Sequence, residues 1–131
     1  MPVADVGDDA TVTRTVTSET IDRYADLTGD DNPLHTDADY AGEGIFGGRV
    51  AHGMLTGGLV SAALAALPGD IVYLSQEFSF EAPVRPGATV VCTVTVREVI
   101  DDDRVRVETV AEADGERVLS GEAVVMSLPH E

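Results

Sequence analysis

Residues 53–67, GMLTGGLVSAALAAL, are apolar or small at nearly every position. They predict a single helix about 22 Å long, stopped by Pro68-Gly69. A helix without a polar face has to be surrounded by protein. Gly57, Gly58 and Ala62 leave room for a neighbouring backbone to come close. The rest of the chain must therefore wrap this helix.

Beyond Pro68-Gly69 the chain reads mostly as strand. Residues 71–80 alternate loosely. In 88–99, Val90, Cys92, Val94 and Val96 share one face, and Val91, Thr93 and Thr95 the other. Asp101-Asp102-Asp103 makes a charged turn before a strand over 104–112. Asp114-Gly115 is a hairpin signal, and 117–128 is the last strand. Upstream, 10–17 alternates with β-branched residues and predicts a strand. Ser18 is the expected N-cap of a helix over 19–28, with Glu19 at the positive end of its dipole. Ile21, Tyr24, Ala25 and Leu27-Thr28 lie on or near its apolar side, and Gly29 ends it. Residues 37–42 predict a short helical turn and 43–50 a glycine-rich loop. An antiparallel sheet curled around one buried helix satisfies this order: an α+β fold, one domain over 1–131.

Composition narrows the partners. The chain carries 24 acidic residues against 8 basic ones, a formal charge of −16, and every basic residue is arginine. Nucleic acid is a poor partner for such a surface, because phosphate binding needs a basic patch. The periodic apolar residues argue against disorder. What remains is a folded protein of a high-salt cytoplasm, or an ordinary acidic protein. At about 1 M salt the Debye length is about 3 Å, and most of the self-repulsion is screened. No run of apolar residues is long enough to span a membrane. The first ten residues, MPVADVGDDA, lack the basic-then-apolar order of a secretory signal. A single cysteine, Cys92, sits in an apolar pattern and reads as a core thiol. A cytoplasmic location is expected.

The stretch 29–35, GDDNPLH, crowds titratable groups onto one loop. Three readings apply. It is a solvated turn, since Asp and Asn bond nearby backbone and Pro33 fixes φ. It is a metal site built from Asp30, Asp31, His35, Asp37 and Asp39, although neither EF-hand spacing nor a two-histidine zinc motif is present. Or Asp30 and His35 form an acid–base pair, brought together by the proline turn around one water. In that third case Leu34, buried beneath the loop, holds His35 outward. A second feature favours it. His52-Gly53-Met54 opens the buried helix, where unpaired N–H groups and the dipole favour negative charge. Gly53 would let a ligand oxygen come close to the backbone, although plain packing also explains it.

The runs YADLTGDDNPLH (24–35), FGGRVAHGML (46–55) and QEFSFEAPVRPG (76–87) resemble the (R)-specific enoyl-CoA hydratases, the MaoC-like or hydratase 2 family. With this acidity, the chain looks like a haloarchaeal-like member. The resemblance implies a hot-dog fold, an antiparallel sheet wrapped around a central helix, as a homodimer. It places the catalytic pair on Asp30 and His35 and leaves Asp31 at a variable position. Asn32 matches the motif asparagine, Gly53 the oxyanion donor, and Ser61 a serine near the active site.

The implied reaction is reversible addition of water to a trans-2-enoyl-CoA, giving an (R)-3-hydroxyacyl-CoA, with polyhydroxyalkanoate synthesis one destination. It requires no metal or redox cofactor. Arg49 and Arg85 lie nearest the motifs in sequence and are the candidates for the coenzyme A phosphates. A hot-dog thioesterase or another acyl-CoA dehydratase is the alternative enzyme. A non-catalytic acyl-thioester-binding subunit is the alternative outside catalysis.

Overall fold

The computed structural model describes residues 1–130. Strands β1 (Asp9–Val16), β2 (Asp70–Phe80), β3 (Ala88–Val99), β4 (Arg104–Ala113) and β5 (Glu116–Leu128) form one antiparallel sheet in the order β1-β3-β4-β5-β2. Between β1 and β2 the chain forms α1 (Ser18–Thr28), α2 (Pro33–Thr36), α3 (Ala38–Gly42) and α4 (Gly53–Ala65). Helix α4 packs against β1, β2, β3 and β4. This is the hot-dog fold.

The alternation of β3 decides which side faces the helix. Val90, Cys92, Val94 and Val96 are fully buried, and Val91, Thr93 and Thr95 only partly so. Val105 and Val107 of β4 and Leu119 and Val125 of β5 extend the same core towards Val60 and Leu64 of α4. Burial pushes the Cys92 thiol up to about 11. Register shifts interrupt the ladders at Tyr73/Ser75, Val96/Glu98 and Ala111/Glu112, the kind of irregularity that lets a strand bend. Gly121 of β5 lies hard against β2, where an added Cβ would sit 1.8 Å from the Glu77 carbonyl oxygen. The β4–β5 turn uses Asp114 and Gly115, both at positive φ, as the Asp-Gly signal requires. In the β3–β4 turn, the Arg104 side-chain hydrogen bond and the Asp103 N–H hold the Asp101 carboxyl at about 2.

Three expectations change. The N-cap of α1 is Thr17 rather than Ser18, because the Thr17 hydroxyl accepts from the Thr20 N–H at 3.1 Å. Leu27 is 84% exposed and takes no part in the apolar side of α1. Helix α4 is not enclosed all round within one chain. Met54, Gly58, Ala62 and Ala65 are exposed along one stripe, with Ser61 half-buried beside them. Small side chains make a helix apolar on every face, but apolarity does not say which neighbour covers each face.

Candidate functional site

Pro33 opens the single turn α2, and Asn32 caps it by accepting the Leu34 N–H at 3.0 Å on Oδ1. Gly29 takes the left-handed conformation, φ 79°, and turns the chain out of α1 just before Asp30. Loop and turn together carry Asp30 and His35 to the rim of a cavity of about 550 Å³. Its polar side includes Asp30, His35, His52 and Gly53; its apolar side includes Phe46, Met54, Phe80, Val84 and Leu119. Leu34 is half-buried and faces this cavity, not the space beneath the loop as expected.

The His35 ring is fixed in orientation. Its Nδ1–H donates to the Val50 carbonyl at 2.8 Å, since a carbonyl can only accept. Nε2 therefore carries the lone pair in the neutral ring. Asp30, His35 and His52 each present a ligand atom, all within 4.8 Å of one another. A separation of that size is one that a single water could bridge between Asp30 and His35 with two hydrogen bonds. The histidine pair does not suit a shared cation. The rings stack with centroids 3.9 Å apart and planes inclined at 28°. Such planes meet well beyond the ~2.1 Å reach of a metal–nitrogen bond, so both lone pairs cannot converge on one ion.

Gly53 opens α4, and no side chain caps that terminus. The His52 carbonyl takes the Leu55 N–H at 3.1 Å, which leaves the N–H groups of Gly53 and Met54, both on the cavity wall, and the positive end of the dipole. An added Cβ at Gly53 would lie 2.8 Å from the Phe80 ring, so glycine is what lets β2 close over the helix start. Asp30, His35 and Gly53 thus border one cavity.

Other residues singled out from sequence lie elsewhere. Asp31 is exposed outside the cavity wall. Asn32 also lies outside it and acts locally, as the cap described above. Ser61 is two turns along α4, on the stripe that one chain leaves uncovered, and does not line the cavity. The Arg49 guanidinium is turned inward: Nε donates to the His35 carbonyl and Nη2 to Asp22 Oδ1, both at 2.6 Å. Arg85 is exposed, makes no ion pair among the described residues, and lies beside Gly48 in the glycine-rich loop. Sequence reading missed the cavity roles of Phe46, Thr56 and Phe80. Phe46 and Phe80 carry no local signal that separates a cavity wall from a core, and Thr56 reads as one more small residue of an apolar helix.

Residues 5–117 match the family model described as the MaoC like domain. The chain belongs to the MaoC-like family. It is 41% identical over 123 residues to an (R)-specific enoyl-CoA hydratase of Rhodospirillum rubrum, an alignment covering 92% of this chain and 85% of that protein. It is 42% identical over 113 residues to a 3-hydroxybutyryl-CoA dehydratase of Methylorubrum extorquens, covering 84% of this chain and 72% of that one. The structure superposes on the R-hydratase PhaJ1 of Pseudomonas aeruginosa with a TM-score of 0.89 at 35% identity, covering 98% of this chain and 88% of that one. This MaoC-like chain therefore shares both sequence and fold with hydratases along most of its length.

Proposed function

We propose that this MaoC-like protein is an (R)-specific enoyl-CoA hydratase that adds water reversibly to a trans-2-enoyl-CoA. The observation that carries the reading is the approach of Asp30 and His35 ligand atoms to within 4.8 Å, on the same cavity as the uncapped start of α4. Asp30 accepts a hydrogen bond from one O–H of the water, which stays intact, and His35 Nε2 takes the other hydrogen as a proton. The water oxygen bonds to C3 while the C2=C3 electrons move towards the thioester oxygen. That oxygen gains negative charge opposite the Gly53 N–H, where a donor is worth about 10²–10³ in rate. The proton held by the Asp30/His35 pair is then delivered to C2, and the thioester re-forms. Water has been added across the double bond, and both side chains return to their starting state.

Arg85 is the remaining candidate for the coenzyme A phosphates, since the Arg49 guanidinium is engaged inside the protein. The assembly we propose is a homodimer of single-domain chains. The uncovered stripe of α4 and the exposed Val72, Tyr73, Leu74 and Phe80 of edge strand β2 are the surfaces a second copy would cover. Ser61 lies on that stripe and would face the partner. Among the described residues no helix is long and apolar enough to cross a membrane. A cytoplasmic role at high salt, with polyhydroxyalkanoate synthesis one use of the product, belongs to the same proposal.

The test is crotonyl-CoA hydration followed by ultraviolet absorbance in molar potassium chloride, with free thiol measured in parallel. Wild type consumes the enoyl group without releasing thiol and gives the (R) product. Asp30→Asn and His35→Ala each lower kcat by about 10²–10⁴-fold with the fold intact by circular dichroism. Near-wild-type turnover in either variant removes the mechanism, and thiol release makes the protein a thioesterase. Light scattering on the same samples reads the oligomeric state.

A further inference from the structure

The hydration steps leave one buried histidine without a part. His52 is 3% exposed, and its ring centroid lies 4.6 Å from that of Tyr24 and 3.9 Å from that of His35. Its Nε2–H donates to the Asp30 carbonyl at 2.8 Å, across 22 positions of sequence. Its Nδ1 is buried and has no hydrogen-bond partner among the described residues. A packing role alone would favour an apolar ring, because an orphaned buried nitrogen costs about 1–3 kcal/mol. Nor does His52 cap the helix it precedes, the usual service of a polar residue at that place. What the ring does is reach back to the loop.

The two histidines form a reciprocal clasp. His35, on the loop, donates to Val50 just before α4; His52, just before α4, donates to Asp30 on the loop. Arg49 adds a third link by donating to the His35 carbonyl. Stacking of the two rings closes the arrangement. The carboxylate of Asp30 is exposed and its loop comes after a left-handed glycine, so local structure does little to fix it.

We propose that His52 is a positioning residue. Through the Asp30 carbonyl and the face of His35 it holds carboxylate and imidazole one water apart, and it ties that pair to the helix start at Gly53. This rests on Asp30 and His35 being the hydration pair. A displacement of about 1 Å in such a pair costs roughly 10²-fold in rate.

His52→Phe keeps an aromatic face for His35 and removes the donor; His52→Gln keeps a donor and removes the ring. The Phe variant is expected to lower kcat for crotonyl-CoA by about 10- to 100-fold, with KM within about threefold of wild type. The Gln variant is expected to lose less. In wild type, nitrogen NMR should place the His52 proton on Nε2 and the His35 proton on Nδ1. A Phe variant within about twofold of wild-type kcat, or a Gln variant worse than Phe, overturns the proposal. So does a His52 proton found on Nδ1, which decides the matter even if the Phe variant fails to fold. An active Asp30→Asn enzyme would instead sink the hydration reading itself, which keeps the two failures apart.

Discussion

Adjacent side chains of one chemistry differ here in what they face, and that sets the predictions at residue scale. Asp30 borders the cavity and Asp31 does not, so Asp31→Ala should keep kcat within about threefold while Asp30→Asn loses it. The sequence shows two identical aspartates; only the path of the loop after Gly29 separates them. Cys92 makes a second case. Its folded pKa, about 11, lies above that of an unfolded thiol. The thiol's contribution is intact below about pH 8.5 and is lost as pH rises towards 11, because the unfolded state ionises first. Denaturant unfolding should therefore show stability falling across this range by about 1.4 kcal/mol per pH unit at most. Cys92→Ala should flatten that slope. Arg49 marks the limit of reading a site from sequence. Closeness to a motif suggested a phosphate contact, but its inward turn towards His35 and Asp22 depends on the packing of α1 against the loop. Chain proximity carries no information about that packing.

Gly121 is the tightest backbone approach, because any Cβ there overlaps the Glu77 carbonyl on the paired strand. Gly121→Ala should destabilise the protein by about 3 kcal/mol or more, read as a lowered denaturant midpoint. The Asn32 cap is a milder test. Asn32→Ala removes the acceptor for the Leu34 N–H and should cost about 1 kcal/mol. It should also lower kcat, since α2 carries His35. The strands were legible where one face is buried and the other is not. β3 alternates cleanly because α4 lies on one side only, and the Asp114-Gly115 turn declares itself by its φ requirement. β2 read loosely for the opposite reason: as an edge strand exposed over most of its length, it has no burial pattern to impose alternation. The uncovered stripe of α4 was not legible either. Gly58, Ala62 and Ala65 are equally suited to a strand, a second helix or another chain.

The molecule as a whole carries a charge that its own cations cannot balance. Eight arginines face 24 acidic groups, so one-to-one pairing leaves at least two-thirds of the acids without a partner. No Asp or Glu is buried among the described residues, and the repulsion is therefore a surface field that salt can screen. Thermal unfolding measured from low to molar potassium chloride should show a rising midpoint; a flat or falling one would identify an ordinary acidic protein. The same field acts on substrate. Coenzyme A brings negative phosphates to this surface, so long-range repulsion opposes encounter at low salt. Exposed Arg85 pulls the other way, but one guanidinium is set against a net −16. Over the salt range in which circular dichroism reports a folded protein, KM for crotonyl-CoA should fall as potassium chloride rises, with kcat nearly constant. A KM that climbs steadily with salt would mean that a local cationic contact outweighs the global field, and Arg85→Gln would then be expected to abolish the climb.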